Sequence, residues 1–445
     1  MLGIRAIARH TFRDAMRKRL WVMILLYGGM MILPTFVFPA PPEGRVKLAL
    51  EWSLWTMSFL GAVVVVFLAA PALWADIVDR TIYTVITKPV SRVEMLVGRL
   101  LGYMAVLLVL VLGMGVLGYA AVRYAASRVV VTDSASPPVL QTDAPIEATT
   151  GRRIPEPVIA EDDSMLARRK YHILSGVGPQ RVEFQFRGLK PGTFSSGHVR
   201  FKFRFAVNEP TKQDRPATDV NFTVTNDSTG AQITGTLPVE NGVDVYFPVK
   251  DAKKFFEGTS SVTVEIRRLN PAYTVAIVKK RAELLAQAES FGTSFTKALT
   301  LNYAGLMLLA VVALASSTIL EGPVCILWTA FIYFVGSSME VIRETADVLA
   351  PGRLTFIGVL YSKLDTSTPV GRTIEGITNV LRYFLNGLAK VLPDFSRFST
   401  SKVLTQGLSI SNEFFFDGLF YLVVFTLISM IIGFVAFRGR EVGYK

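Results

Sequence analysis

The sequence predicts a polytopic α-helical membrane protein with six transmembrane helices and an inserted extracytoplasmic antiparallel β-sandwich. Three observations carry that expectation. Six apolar runs approach the roughly 20 residues that a helix needs to cross a bilayer. Arginine and lysine gather at the ends of these runs that the positive-inside rule assigns to the cytoplasm. Between the third and fourth runs the periodicity changes from helical to two. Composition agrees. The 445 residues are 51% apolar and 18% charged, where a soluble chain carries about 25% charged residues, and the mean hydropathy is +0.41.

Composition also excludes. The formal charge of +12 is placed at span ends rather than as a stripe on a soluble face, which sets nucleic-acid binding aside. Cys325, the one cysteine, has no partner for an intramolecular disulfide. His10, His172 and His198 lie far apart in sequence, so no metal site and no cofactor site are expected. No Ser/His/Asp order with a G-x-S-x-G turn is present, so no catalytic residue is expected. Charge inside the spans is nearly absent, which disfavours ion-coupled transport.

Residues 1–19 read as a basic amphipathic helix lying in the membrane interface. Ile4, Ile7, Ala8, Thr11, Phe12 and Ala15 fall on one face, and Arg5, Arg9, Arg13 and Arg17 on the other. The first span is 20–38, expected as a retained anchor because no small-x-small cleavage site follows it. The second span is 54–74 and the third 100–122.

Residues 75–99 form the cytoplasmic elbow between them, within the helical segment 20–122. Asp76 and Arg80 stand at i,i+4 and can pair. Ile77, Thr81, Thr84 and Val85 share one helical face, and Pro89 ends the helix by disfavouring helical geometry at Lys88. Ser91 then caps a new helix, with Glu94 completing a capping box.

Residues 123–298 form the extracytoplasmic insertion. Up to residue 180 the sequence is rich in Pro, Ser, Thr and Asp and reads as an irregular leader. Over 181–278, seven alternating stretches are separated by turns such as Pro191-Gly192 and Asn241-Gly242, which reads as a β-sandwich. The alternation Phe201, Phe203, Phe205 against Arg200, Lys202, Arg204 assigns the rings to the core and the cations to a solvated face. Residues 279–290 are expected to return as a helix. Asn221-Phe222-Thr223 fits a glycosylation sequon, relevant only in a eukaryotic secretory pathway.

Spans four and five, 301–320 and 324–335, fall in the segment 299–346 and are separated by a break at Glu321-Gly322-Pro323. Residues 347–412 are again extracytoplasmic. Ile374, Ile377, Val380, Leu381, Phe384 and Leu388 repeat there at helical spacing, ended by Pro393. The sixth span, 416–437, lies in the segment 413–445, and Arg438 and Arg440 follow it. Both termini are therefore expected in the cytoplasm of a plasma (inner) membrane protein.

In combination, "AIARHTFRDAMRKR" before span one, "DRTIYTVITKPVSRVEMLVGRLLGY" after span two, six spans, and "PDFSRFS" (393–399) before the last span resemble the permease subunits of type-2 ABC exporters. The resemblance covers roughly 1–122 and 299–445, and not the insertion. It implies that the elbow is a coupling helix seated in a separate ATP-binding subunit. By position, the contact residues would be Asp76, Asp79, Arg80, Thr81, Thr84, Lys88, Pro89 and Arg92. Acidic and basic residues that depart from the family pattern, at Asp76, Asp79 and Arg99, keep the charge.

The chain holds no G-x-x-x-x-G-K-[ST] loop. It is therefore not expected to be an enzyme itself, and ATP hydrolysis would come from an ABC ATPase subunit in trans. The other implied partners are the lipid bilayer and a second permease, in a homodimer or heterodimer. The alternative reading is a membrane-anchored receptor, scaffold or mechanical-signalling subunit whose β-sandwich binds an extracytoplasmic partner.

Overall fold

The computed structural model describes residues 2–18, 20–33, 42–72, 74–75, 91–127, 142–147, 150–154, 171–174, 180–189, 199–208, 217–240, 244–249, 252–256, 258–270, 273–278, 282–348 and 369–439. The chain forms two compact units. One comprises Met1–Arg128, Phe295–Thr405 and Ile410–Lys445; the other comprises Val129–Ser294 with Gln406–Ser409.

The first unit is helical. Its elements are α1 (Leu2–Arg17), α2 (Trp21–Met30), α3 (Pro42–Leu68), α4 (Arg92–Ser127), α5 (Phe291–Ser317), α6 (Gly322–Ser337), α7 (Met339–Val348), α8 (Pro369–Val391), a 3-10 turn (Phe395–Phe398), α9 (Ser401–Thr405) and α10 (Asn412–Gly439). Among the described residues, four helical stretches are long and apolar enough to cross a membrane: Val46–Leu68, Val93–Ser127, Phe291–Ser317 and Asn412–Arg438. The first and fifth predicted spans are shorter apolar helices, Trp21–Met30 and Gly322–Ser337. Residues 34–38, the end of the first predicted span, lie outside the described residues. The break at Glu321 is present: Glu321 is extended, with φ −74° and ψ 154°, and Pro323 stands in the first turn of α6, where its missing N–H costs nothing.

Small residues let these helices approach closely, as expected where no hydrophobic effect drives helix association. A Cβ on Gly61 would sit 2.4 Å from Leu306 Cδ1, and one on Gly115 would sit 2.7 Å from Leu299 Cδ1. At the meeting of α2, α3 and α4, the buried Tyr27 hydroxyl shares a hydrogen bond with Ser53 Oγ, and Gly118 leaves room for both. The apolar window of α5 is 72% buried and that of α10 only 11%. Helix α5 is thus the centre of the unit and α10 a peripheral element.

The second unit consists of two antiparallel sheets whose inner faces share one core. Its strands are β1 (Thr142–Glu147), β2 (Thr150–Ile154), β3 (Tyr171–Leu174), β4 (Arg181–Arg187), β5 (Val199–Asn208), β6 (Ala217–Asn226), β7 (Gln232–Glu240), β8 (Asp244–Val249), β9 (Ser261–Arg268), β10 (Thr274–Val278) and β11 (Glu283–Glu289). One sheet runs β2-β4-β9-β6-β7; the other runs β1-β11-β5-β10-β3, with β8 also paired to β5. Rings from the two sheets meet: Phe184 with Phe203 at 5.4 Å, Phe186 with Phe201 at 5.3 Å and Phe222 with Phe203 at 5.8 Å. The seven predicted strands all form, and the phenylalanines are core.

Three expectations for this unit are corrected. The leader is not wholly irregular, since it supplies β1, β2 and β3. Each of these is a terminal strand of its sheet, and an edge strand has one neighbour and needs little apolar alternation. Pro145 within β1 is tolerated there for the same reason. The expected return helix at 279–290 is instead β11. Its sequence, ELLAQAE, favours a helix locally, but it is paired on both sides, to β1 and to β5. Finally, the cationic face of β5 is only partly solvated: Arg200 and Lys202 are buried, while the Arg204 side chain is 41% exposed. Lys202 Nζ lies 3.2 Å from Glu283 Oε2 and 3.8 Å from Asp244 Oδ2. Arg200 lies over the Tyr246 ring at 5.5 Å.

Candidate functional site

The elbow residues Asp76, Asp79, Arg80, Thr81, Thr84, Lys88 and Pro89 lie outside the described residues. The structure begins again at Ser91, and Arg92 is the first residue of α4. The capping box forms. The Glu94 backbone N–H donates to Ser91 Oγ at 3.2 Å, and the Ser91 N–H donates to Glu94 Oε2 at 3.0 Å. Two of the N–H groups that a helix start leaves unpaired are thereby satisfied, so α4 has a defined beginning within the last part of the elbow segment.

Helix α1 packs on this same end of α4. Its apolar face is turned inward: Ala15 is buried and Ile4, Ile7, Ala8, Thr11 and Phe12 are half-buried, whereas Arg5, Arg9, Arg13 and Arg17 are exposed. Two glycines four residues apart make the contact possible. A Cβ on Gly98 would lie 2.9 Å from Ile7 Cβ, and one on Gly102 would lie 2.6 Å from Thr11 Cβ and 2.9 Å from the Ala8 carbonyl. The sequence reading missed this pair, although its signal, the G-x-x-x-G spacing of Gly98 and Gly102, stood inside the quoted elbow motif.

The "PDFSRFS" stretch becomes the 3-10 turn that joins several helices. Asp394 is buried. Its Oδ1 accepts from the Ser396 N–H at 3.0 Å and from the Ser396 hydroxyl. Its Oδ2 lies 2.7 Å from Arg343 Nη1 of α7 and 3.5 Å from Arg397 Nε. Its backbone N–H donates to Tyr421 Oη of α10 at 2.8 Å. Arg397 also contacts Asp417 at 3.2 Å and stands 4.8 Å from the centre of the Tyr421 ring. Asp394 thus ties three elements together: its carboxylate binds α7 and the turn, and its backbone N–H binds α10. Gly336 admits the turn against α6, since a Cβ there would lie 2.5 Å from the Pro393 carbonyl.

Beside this turn is a cavity of about 200 Å³, walled by α3, α5, α6 and the residues from Phe395 to Ser401. Asn302 of α5, itself buried, lines it. Asn302 Nδ2 donates to Ser58 Oγ at 2.6 Å and to the Leu54 carbonyl at 3.3 Å. Because a carbonyl can only accept, this fixes the amide orientation. Asn302 Oδ1 is buried without a hydrogen-bond partner. An amide within an apolar run was the sequence signal for this residue, and the sequence reading did not single it out. Among the described residues no group of three or more His, Cys, Asp or Glu side chains is placed to hold a metal ion.

No protein-family model matches the sequence, and no curated protein matches it. Solved structures similar to parts of it include the following two. One is the N-terminal endo-1,4-β-D-xylanase 10B of Clostridium thermocellum, CBM22-1 and GH10 modules complexed with xylohexaose. It has 8% identity and a TM-score of 0.18 over 34% of this chain and 28% of that one. The other is a module named TmCBM61 in complex with β-1,4-galactotriose, at 10% identity and a TM-score of 0.18 over 32% of this chain and 92% of that one. The chain thus spans little more than a quarter of the first structure's length, 28%. TM-scores this low assign neither a fold nor a ligand. What is established is a chain whose described residues include four helices long and apolar enough to cross a membrane, together with a separate unit of antiparallel sheets.

Proposed function

We propose that this chain is the membrane-spanning permease subunit of an ATP-driven ABC transporter, an exporter, coupled to a separate ATPase subunit and working as a dimer with a second permease. Both termini and the elbow at 75–99 lie on the cytoplasmic side in this reading, in keeping with the arginines and lysines that flank them. The observation that carries it is the joint formed by α1 and the elbow-proximal end of α4. The capping box gives α4 a rigid start next to the elbow, and Gly98 and Gly102 lock the basic helix α1 onto it. A displacement delivered to the elbow by a closing ATPase then moves α1 and α4 together instead of fraying the helix end. The spans would shift between inward- and outward-open states. The chain needs no catalytic group for this, only stiffness at the point of contact.

The test is affinity purification of the tagged chain in a mild detergent, with identification of co-purifying proteins by mass spectrometry. A stoichiometric ATP-binding protein is expected. Arg80→Glu with Lys88→Glu should abolish its association while leaving membrane insertion intact. Unchanged association would remove the elbow assignment, and an intact, folded chain with no ATPase would turn the search to the β-rich unit as a receptor.

A further inference from the structure

Helix α8 carries its apolar side outward. Val380 is 70% exposed, Phe384 62% and Val391 78%. At 3.6 residues per turn these three share one stripe, flanked by the exposed Tyr383. Asn379, Arg382, Leu385 and Ala389, from the remaining side, are half-buried, and α8 packs on α7. A surface helix of a water-soluble fold does the reverse, with its apolar stripe on the core and its polar side in water. Large apolar side chains gathered in one exposed stripe mark an interaction surface.

The place where α8 ends says what covers that stripe. Val391 leads into the turn whose Asp394 backbone N–H donates to Tyr421 Oη of α10 at 2.8 Å. Arg397 of the same turn lies 3.2 Å from Asp417 of α10. Both contacts fall near the start of α10, which begins at Asn412. Arg343, Asp394, Arg397 and Asp417 gather there, whereas α10 carries no charge from Leu422 to Phe437. The joint therefore marks the end of an apolar span, the level at which acyl chains give way to headgroups. Phe420 and Val423, on either side of Tyr421 in sequence, are exposed, as is most of the apolar window of α10. Lipid covers that surface once α10 spans, and α8 runs out from its end. Lys390, in the last turn of α8, is exposed, a cation at the headgroup level.

We propose that α8 is an in-plane interfacial helix. It lies along the bilayer surface at the Asn412 end of α10, with Val380, Phe384 and Val391 among the acyl chains and Lys390 at the lipid phosphates. The occupant of the stripe is lipid, and not a second copy of the chain or another protein. Helices of this kind bury their apolar face about 5–10 Å into the boundary between headgroups and acyl chains. The inference rests on the membrane-spanning part of the function proposed above, and not on the ATPase.

The test uses the full chain with Cys325→Ser, reconstituted in vesicles of phosphatidylcholine and phosphatidylglycerol. A nitroxide is attached at Val380→Cys, Phe384→Cys or Val391→Cys, with Asn386→Cys on the polar side of α8 and Leu427→Cys on α10 as references. Collision rates are measured with oxygen, which concentrates among acyl chains, and with a water-soluble nickel chelate. The three stripe positions should favour oxygen over nickel several-fold, as Leu427 does, and Asn386 should show the opposite preference. Where one cysteine variant does not fold, the other two stripe positions decide. Stripe positions open to nickel overturn the proposal in favour of water; positions shielded from both reagents overturn it in favour of a protein, including a second copy. Nickel access at Leu427 as well would overturn the membrane-spanning reading together with the proposal, whereas nickel access on α8 alone overturns only the proposal.

Discussion

Lys202 shows where a pattern of alternating residues stops being informative. Alternation separates the two faces of β5 correctly, because period two is a property of the strand itself. It cannot say whether the second face meets water. In the structure that face carries a buried ion cluster in which Lys202 faces Glu283 and Asp244. Glu283 comes from β11, eighty-one residues away, and was expected in a helix, so the partner was not legible in the sequence. Removing Lys202 takes its cation from Glu283, while Asp244 keeps Arg204 at 3.6 Å; breaking a fully buried pair costs about 3–5 kcal/mol, an upper bound here. Lys202→Ala should destabilise the β-rich unit by up to that amount in denaturant unfolding. Lys202→Met combined with Glu283→Gln should recover much of the loss, since the pair is then absent together. Tyr246, on the same face, adds a pH dependence. Burial, then Asp244 and Glu283, raise its pKa, with Arg200 opposing. A raised tyrosine pKa favours the neutral phenol in the folded state. Stability is therefore held below the ordinary tyrosine pKa of about 10 and lost as pH rises through the folded value. Tyr246→Phe should flatten that alkaline decline in thermal melts; an unchanged decline would assign it to other groups.

Elements were legible where local chemistry and tertiary context agree, and illegible where they conflict. The start of α4 was legible from Ser91 and Glu94 because a capping box is closed within four residues and owes nothing to the rest of the fold. The two faces of α1 were legible from their period. What α1 packs against was not, because that depends on an absence of side chains at Gly98 and Gly102 of another helix. β11 is the opposite case, a helix-favouring sequence held as a strand by neighbours on both sides. These differences make separable predictions. Ser91→Ala should cost about 1 kcal/mol, the usual value of an N-cap, and leave α1 in place. Gly102→Leu should leave the cap intact and force α1 off α4, because the Ala8 carbonyl stands only 2.9 Å from the position of the new Cβ. Hydrogen exchange would read both, as faster exchange confined to the first turn of α4 in one variant and spread over residues 4–15 in the other. Protection of α1 in Gly102→Leu would show that the close approach is not what holds it.

At the scale of the molecule, the question is how a chain with helices long and apolar enough to cross a membrane accommodates a second compact unit of 166 residues, Val129–Ser294, between two of them. The answer lies in the pairing of the first strand with the last. β1 and β11 run antiparallel with Thr142 opposite Glu289 and Glu147 opposite Glu283, so the first and last described strands of the unit lie side by side. An insertion closed in this way places no demand on the spacing of the helices that flank it, and adjacent ends are what make domain insertion tolerable. The core tells the same story. The buried cluster from Leu174 to Leu284 draws on both sheets and contains no residue of the helical unit. Leu, Val, Ile and Phe side chains of this kind contribute about 1.5–3 kcal/mol each when removed from water, and the contacts of this cluster are made within the unit itself. Residues 129–294 expressed alone should therefore fold, with a single cooperative thermal transition and dispersed methyl and aromatic resonances. Excising them and rejoining the helices through a short flexible linker should leave α5 inserted and the Asp394–Arg343 contact intact, as read by charge reversal of both partners. If the isolated unit instead shows a broad transition with exposed apolar surface, its core depends on the membrane-spanning part. The insertion would then have to be treated as one cooperative structure with the helices rather than as a module carried by them.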